Sequence, residues 1–222
     1  MTDITIKGLF ENMSTIAAPL FEGKTYPWEV LADISEFVYK LGKTLPEDEF
    51  FSPQEGVWIA KDASVAPTAF IAPPCIIDHE AEIRHCAFIR GSAIIGKHAV
   101  VGNSTEIKND ILFDYVQVPH YNYVGDSILG YKSHMGAGSI TSNVKSDKKN
   151  VIIKNGDERI ETGRKKIGAI LGDGVEIGCG TILNPGSIVG AHSRVYPLSS
   201  VRGTIPSNSI YKNEGEIAKV IE

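Results

Sequence analysis

His120 stands between Pro119 and the tyrosines Tyr121 and Tyr123, and two cations, Arg90 and Lys108, precede it at an interval of eighteen residues. A neutral imidazole, with an ordinary pKa of about 6.5, is suited to take a proton from an attacking amine or hydroxyl near pH 7. The competing reading of His120 is an ordinary surface or core histidine. Arg90 and Lys108 repel each other if the chain brings them together, unless an anion lies between them or nearby. They then make a phosphate-sized site, the alternative being two solvated cations. The stretch from Lys108 to Asn143 gathers these groups, and everything else reads as the frame that holds it.

That frame is a repeat. From Ile59 an aliphatic residue returns every sixth position: Ile59, Val65, Ile71, Ile77, Ile83, Ile89, Ile95, Val101 and Ile107. Four residues after each stands a small or aliphatic partner, from Ala63, Ala69 and Cys75 to Thr105 and Ile111. The beat resumes at Leu171, Ile177, Leu183, Val189, Val195 and Val201. Period six is neither helical nor the period of two of a lone strand. It predicts a parallel β-helix in which each unit is a short strand and a turn, its aliphatic residue pointing into a narrow core. The beat fails at Phe113 and Pro119 and returns out of phase at Leu129 and Met135, which places His120 at a dislocation of the stack.

Before the repeat, Trp28, Leu31, Ile34, Val38 and Leu41 form a helical stripe, with Pro27 suited to a first turn and Gly42 and Pro46 to a stop. A helix near 27–42 is expected in an arm of residues 1–56. It would cap the end of the stack or dock a partner. The β-helix is expected over 57–206 and a C-terminal tail over 207–222. A second interruption, Asn143 to about Lys166, carries eight basic residues against four acidic ones. It reads as a protruding loop, with a hairpin turning at Asn155-Gly156. The local positive excess suits an anionic partner, or is simply solvated.

Composition narrows the classes. The 222 residues suffice for one substantial core, and the formal net charge of -5 argues against a general nucleic-acid binder. No run approaches the roughly 20 apolar residues of a membrane span. No signal peptide is visible at the N-terminus. Cys75, Cys86 and Cys179, an odd number without CxxC spacing, fit a reduced, cytoplasmic compartment. His79 and His85 lie one hexad apart on adjacent faces, and zinc is a minority reading of the histidines; no metal is expected.

The periodicity resembles the left-handed β-helix of the hexapeptide acyltransferases, whose coils use three hexads. With coils about 4.8 Å apart, Arg90 and Lys108 should then stack on one face. The run Pro119-His120-Tyr-Asn-Tyr123-Val-Gly-Asp126, followed by Gly136-Ala-Gly138-Ser-Ile-Thr-Ser-Asn143, is similar to the acetyltransferase domain of a bifunctional family. That family joins N-acetylglucosamine-1-phosphate uridyltransferase and glucosamine-1-phosphate acetyltransferase. Thr162-Gly-Arg-Lys-Lys-Ile-Gly168 brings the likeness closer to the archaeal-type sugar-1-phosphate nucleotidylyltransferase/acetyltransferases. The likeness covers roughly residues 57–205.

The resemblance implies a homotrimer with its site between subunits, acetyl-CoA as donor and a hexosamine 1-phosphate as acceptor. It implies His120 as general base with Glu106 beside it, Arg90 and Lys108 for the sugar phosphate, and Tyr123 and Asn143 for the ring. His134 stands where a second asparagine of the bacterial pattern would hold the acceptor. Cys179 and Pro197 stand where a serine and an alanine of the acetyl-CoA side would be, and Lys212 is a further candidate for the CoA phosphates. The family's pyrophosphorylase domain opens with a Leu-Ala-Ala-Gly-x-Gly loop; that loop does not occur here, and no UTP-dependent chemistry is expected.

Overall fold

The computed structural model describes residues 2–213 and 216–219. The repeat builds a three-sided parallel β-helix, whose sheets contain nine, seven and nine strands among the described residues. Face one includes Cys75–Ile77, Ala93–Ile95, Asp110–Leu112, Ile128–Leu129 and Ala169–Leu171. Face two includes Val100–Asn103, Gln117–His120, His134–Met135 and Glu176–Ile177. Face three includes Phe88–Ile89, Glu106–Lys108, Tyr123–Gly125, Ile140–Thr141 and Ile182–Leu183. The hexad aliphatics Ile77, Ile89, Ile95 and Ile107 fill the axis and are fully buried, whereas Val65 and Ile71 in the first coil are less covered. Cys75 occupies a core slot, and burial pushes its thiol up to about 12.

The beat does not break at His120. Val118 pairs with Val101 and Val124 with Ile107, so the ladder runs straight through Pro119. What changes is coil length. Ile95 pairs with Leu112 and Leu112 with Leu129, seventeen residues on in each case, because the corner from face three into face one loses one residue. The phase shift is therefore a tightened corner. Asp110 takes up its backbone donors: Oδ2 accepts from the Lys108 N–H at 2.7 Å and Oδ1 from the Ser127 N–H at 2.7 Å. The larger interruption is an excursion from the same corner. Its two strands, Ile152–Asn155 and Glu158–Glu161, pair antiparallel about a turn led by Gly156 at φ +61, one residue beyond the expected turn. Beyond the excursion Leu129 pairs with Leu171, and the stack continues.

The helices of the arm lie along face one, not over the end of the stack; the arm's last strand, Phe50–Gln54, pairs antiparallel with Val57–Ala60 at the end of that face. Residues 27–42 form a 3-10 helix, Pro27–Ala32, and then an α-helix, Ile34–Gly42. The spacing explains the division. Trp28, Leu31 and Ile34 recur at three residues, the 3-10 period, whereas Ile34, Val38 and Leu41 follow the α period. The α-helix packs on Cys75–Ile77 and Ala93–Ile95, and a Cβ at Gly42 would collide with the Trp58 ring. Farther along, the Asp173 N–H donates to the Leu9 carbonyl at 3.0 Å. The outward residues of face one, Ile76, Ile94, Ile111, Ile128, Ile170 and Ile188, are accordingly fully buried. They join Leu9, Phe21, Leu31 and Val38 of the arm and Val151 and Ile153 of the hairpin in one hydrophobic cluster. A sheet covered on both sides carries consecutive apolar residues, and every third hexad here has such a doublet.

The ladder also runs past 206. Ser209–Asn213 extends face two and Glu216–Lys219 folds back on it antiparallel. Met1 of the expected arm, and residues 214, 215 and 220–222 of the expected tail, lie outside the described residues. No helix among the described residues is long and apolar enough to cross a membrane.

Candidate active site

Face three and its two flanking corners hold the polar groups. At the tightened corner Lys108 ends its strand and places Nζ 3.0 Å and 3.1 Å from the two carboxylate oxygens of Asp126. Asn109 Nδ2 donates to Asp126 Oδ1 at 2.9 Å and to the Leu31 carbonyl of the arm at 3.1 Å. Asn143 Nδ2 donates to Asp126 Oδ2 at 2.6 Å and to the Tyr123 hydroxyl at 3.2 Å. One carboxylate, 2% exposed, thus fastens Lys108, Asn109 and Asn143. Below it, burial pushes the Asp110 carboxyl well above the usual carboxylate range.

Tyr123 lies over Gly125, two residues on, where a Cβ would stand 2.6 Å from the phenol oxygen. Burial and then the Asp110 charge push the Tyr123 phenol upward, so it is neutral near pH 7. Its oxygen accepts from Asn143, which leaves its own proton free to donate. Arg90 and Lys108 do stack by ladder, the Arg90 N–H donating to the Ile107 carbonyl at 2.8 Å. Each cation already has a carboxylate, however: Arg90 Nη1 lies 2.7 Å from Glu106 Oε1, and Lys108 is held by Asp126. The Glu106 contact raises the Arg90 guanidinium further. Glu106 stands in register with Tyr123 on the next coil.

His120 ends its face-two strand at the corner leading into face three, and its ring is exposed. The corner is rigid. The His120 N–H donates to Asn122 Oδ1 at 3.1 Å, and the buried Asn122 Nδ2 donates to the Gly136 carbonyl at 2.9 Å and Ser139 Oγ at 3.1 Å. Among the described residues the imidazole makes no side-chain hydrogen bond. Successive coils stack at this corner. The Gly138 N–H donates to the His120 carbonyl at 3.0 Å, that of Gly180 to Ala137 at 2.8 Å, and that of Leu198 to Cys179 at 2.9 Å. His120, Ala137, Cys179 and Pro197 therefore form one column, with Cys179 two coils, or about 10 Å, from His120. Tyr121 and Leu198, one position along in the same corner turns, are 66% and 86% exposed.

Two expected residues stand apart. His134 lies in the strand beside that of His120, but on face two opposite Gln117, and its Nδ1 is 2.8 Å from Glu176 Oε2. Lys212 lies at the end of face two, 3.0 Å from Glu216. The remaining histidines mostly answer local carboxylates, His79 with Asp62, His98 with Glu80 and His192 with Glu11, while His85 contacts Thr68 Oγ1. No group of three metal-ligating side chains occurs among the described residues.

Asp126 and Asn109 stand outside the residues expected in the site, although Asp126 ends the run that carries the resemblance. Asp126 was legible as a carboxylate eighteen residues beyond Lys108. The end of the excursion, whose basic excess suits an anionic partner, comes to this same corner. Arg164, Lys165 and Lys166 line, with Lys108, Asp126 and Leu31, a cleft of about 530 Å³. The buried Arg164 Nε has no hydrogen-bond partner among the described residues.

With this geometry in place, similarity to known proteins is informative. Residues 71–201 match the model of a family described as the GMPPB C-terminal domain. A bifunctional sugar-1-phosphate nucleotidylyltransferase/acetyltransferase of Sulfurisphaera tokodaii is 33% identical over 109 residues, 49% of this chain and 27% of that protein. The bifunctional protein GlmU of Methanococcus aeolicus is 36% identical over 117 residues, 52% of this chain and 28% of that protein. The chain thus spans little more than a quarter of the length of these curated relatives. Among solved structures, the acetyltransferase domain of PglB from Neisseria gonorrhoeae is 15% identical, with a TM-score of 0.36, covering 87% of this chain and 66% of that one.

Proposed function

This chain belongs to the family described as the GMPPB C-terminal domain, and from that premise we propose that it is an N-acetyltransferase, moving the acetyl group of acetyl-CoA to the amine of a hexosamine 1-phosphate. One observation carries the reading: the His120 corner lies between two sets of residues suited to two substrates. On one side, face three presents Glu106, Lys108, Tyr123 and Asn143 over three successive coils. On the other, the His120 column runs to Cys179 and Pro197.

In this mechanism Arg90 and Lys108 hold the sugar phosphate, and Tyr123 and Asn143 orient the ring. The amine attacks the thioester carbonyl while His120 takes its proton. Backbone N–H groups stabilise the tetrahedral oxyanion. Collapse breaks the carbon–sulfur bond, and the CoA thiolate leaves with the proton returned by His120. Glu106, which the resemblance puts beside the base, is held by Arg90. The exposed His120, Tyr121 and Leu198 suit a homotrimer in which a second copy closes this corner.

A nucleotide-linked amino sugar is the second acceptor class, favoured by one observation: Arg164, Lys165 and Lys166 share the cleft of Lys108. Thiol release from acetyl-CoA tests both. The panel is glucosamine 1-phosphate, galactosamine 1-phosphate and UDP-linked amino sugars. Release is expected with one acceptor, falling on the order of 10²–10⁴-fold in His120→Ala. Near-normal turnover in that variant would remove His120 as base. Silence across the panel by a folded protein would leave a sugar-phosphate-binding module.

A further inference from the structure

The excursion makes a second basic groove, away from Lys108. The hairpin lies against the corners Asn184–Gly186 and Arg202–Gly203, enclosing about 320 Å³ lined by Lys145, Ile152, Lys154, Arg159, Pro185 and Arg202 among others, with no carboxylate in the lining. Lys154 and Arg159 are directly opposite on the two-stranded ribbon. Like charges in that relation are destabilising. Neither has an ion-pair partner among the described residues, Glu161 on the same ribbon face included, and nor has Arg202. Lys145 alone is partly answered, by Asp147 at 3.2 Å. Arg159 Nη1 donates to the carbonyls of Gly156 and Glu158, which steadies the guanidinium and leaves its other N–H groups for a ligand.

The groove is held in shape. Val151 and Ile153 are fully buried beneath the ribbon, and a Cβ at Gly186 would crowd both. Thr204 Oγ1 donates to the Lys154 carbonyl at 2.9 Å. Asn155 Nδ2 donates to the Thr2 carbonyl at 2.9 Å, and its Oδ1 accepts from the Thr2 N–H at 3.2 Å. A backbone fixed in this way does not have to reorganise when an anion arrives, and the Arg159 guanidinium is already steadied.

We infer that this groove binds a nucleotide, its phosphates between Lys154, Arg159, Lys145 and Arg202 and its apolar part against Ile152 and Pro185. Two nucleotides are compatible with the proposed reaction, the adenosine phosphate end of CoA and the diphosphate end of a nucleotide-linked acceptor. The choice between them rests on that reaction; the site itself does not.

Calorimetry on the full chain with adenosine 3′,5′-bisphosphate, UDP and inorganic pyrophosphate tests the site without turnover. One nucleotide should bind more tightly than pyrophosphate, and less tightly as salt rises. The exposed pair variant Lys154→Ala/Arg159→Ala should weaken it at least about tenfold, the loss of one charge-assisted hydrogen bond, while the variant melts no lower than the parent because a like-charge pair has been removed. Preference for the bisphosphate assigns the groove to CoA, and preference for UDP to the acceptor. Failure of all three probes, undiminished binding in the pair variant, or pyrophosphate binding as tightly as both nucleotides would overturn the assignment. His120→Ala should bind like the parent, so absent turnover and an absent nucleotide site are separate results.

Discussion

Asp126 and Glu106 each hold a cation of the candidate acceptor site, yet they should differ in weight. Arg90 and Glu106 keep 46% and 33% of their side-chain surfaces exposed, and a pair in that setting contributes at most about 1 kcal/mol. Asp126 is buried and accepts only from donors, Lys108, Asn109 and Asn143. Asp126→Asn turns an amide N–H toward one of them, which should cost about 1–3 kcal/mol. Urea unfolding should therefore separate Asp126→Asn from Glu106→Gln; equal losses would mean that burial does not set their weight. At this scale the sequence was half legible. The stacking of Arg90 over Lys108 follows from their eighteen-residue spacing once the resemblance supplies a coil of three hexads. That each cation has its own carboxylate does not, because an outward side chain can reach to either neighbouring coil.

The tightened corner is an element-scale device, and Asp110 is its keystone. The Asp110 carboxyl is raised well above 3.8 by burial, so between 3.8 and its folded-state value the folded protein holds more of its proton than the unfolded chain. Stability from this group falls as pH rises through that window. Asp78, Asp114 and Asp173, also raised by burial, add slopes of the same sign. Asp110→Asn should reduce the slope without abolishing it. It should also lower the whole curve by about 1–3 kcal/mol, because the amide NH2 that replaces one carboxylate oxygen cannot accept from the N–H that oxygen served. Denaturation across a pH series measures both, and a slope unchanged in Asp110→Asn would show that Asp110 does not titrate there. The repeat and the helical stripe were readable in residue periodicity, and the hairpin in its Asn155-Gly156 turn dipeptide. The corner was misread as a dislocation because dropping one residue shifts the phase of everything downstream while leaving each coil paired. The route of the arm was recorded in doublets such as Ile76-Ile77, Ile94-Ile95 and Ile111-Leu112, a pattern that recurs once per coil inside the pattern of period six.

For the whole molecule, the arm seals face one, which leaves faces two and three and the corner between them for another copy of the chain. Leu198, at 86% exposure, projects from that corner. Light scattering should give the mass of three 24.1 kDa chains. Leu198→Lys should shift the distribution toward smaller species while far-UV dichroism stays that of the parent, since a surface lysine disturbs no core contact. A monomeric parent with normal thiol release would place the complete active site within one chain. Residue periodicity says nothing of such an interface; the homotrimer is an expectation that only the resemblance supplies.

The 25-residue departure between Ser142 and Lys166 has a mechanical consequence. Thr141 pairs onward with Leu183 just as Leu129 pairs with Leu171, so strain along the axis passes through the ladder and not through the excursion. A protease that nicks the exposed turn at Gly156-Asp157 would cut the polypeptide without cutting the column, and the two fragments would stay clasped by the strands on either side.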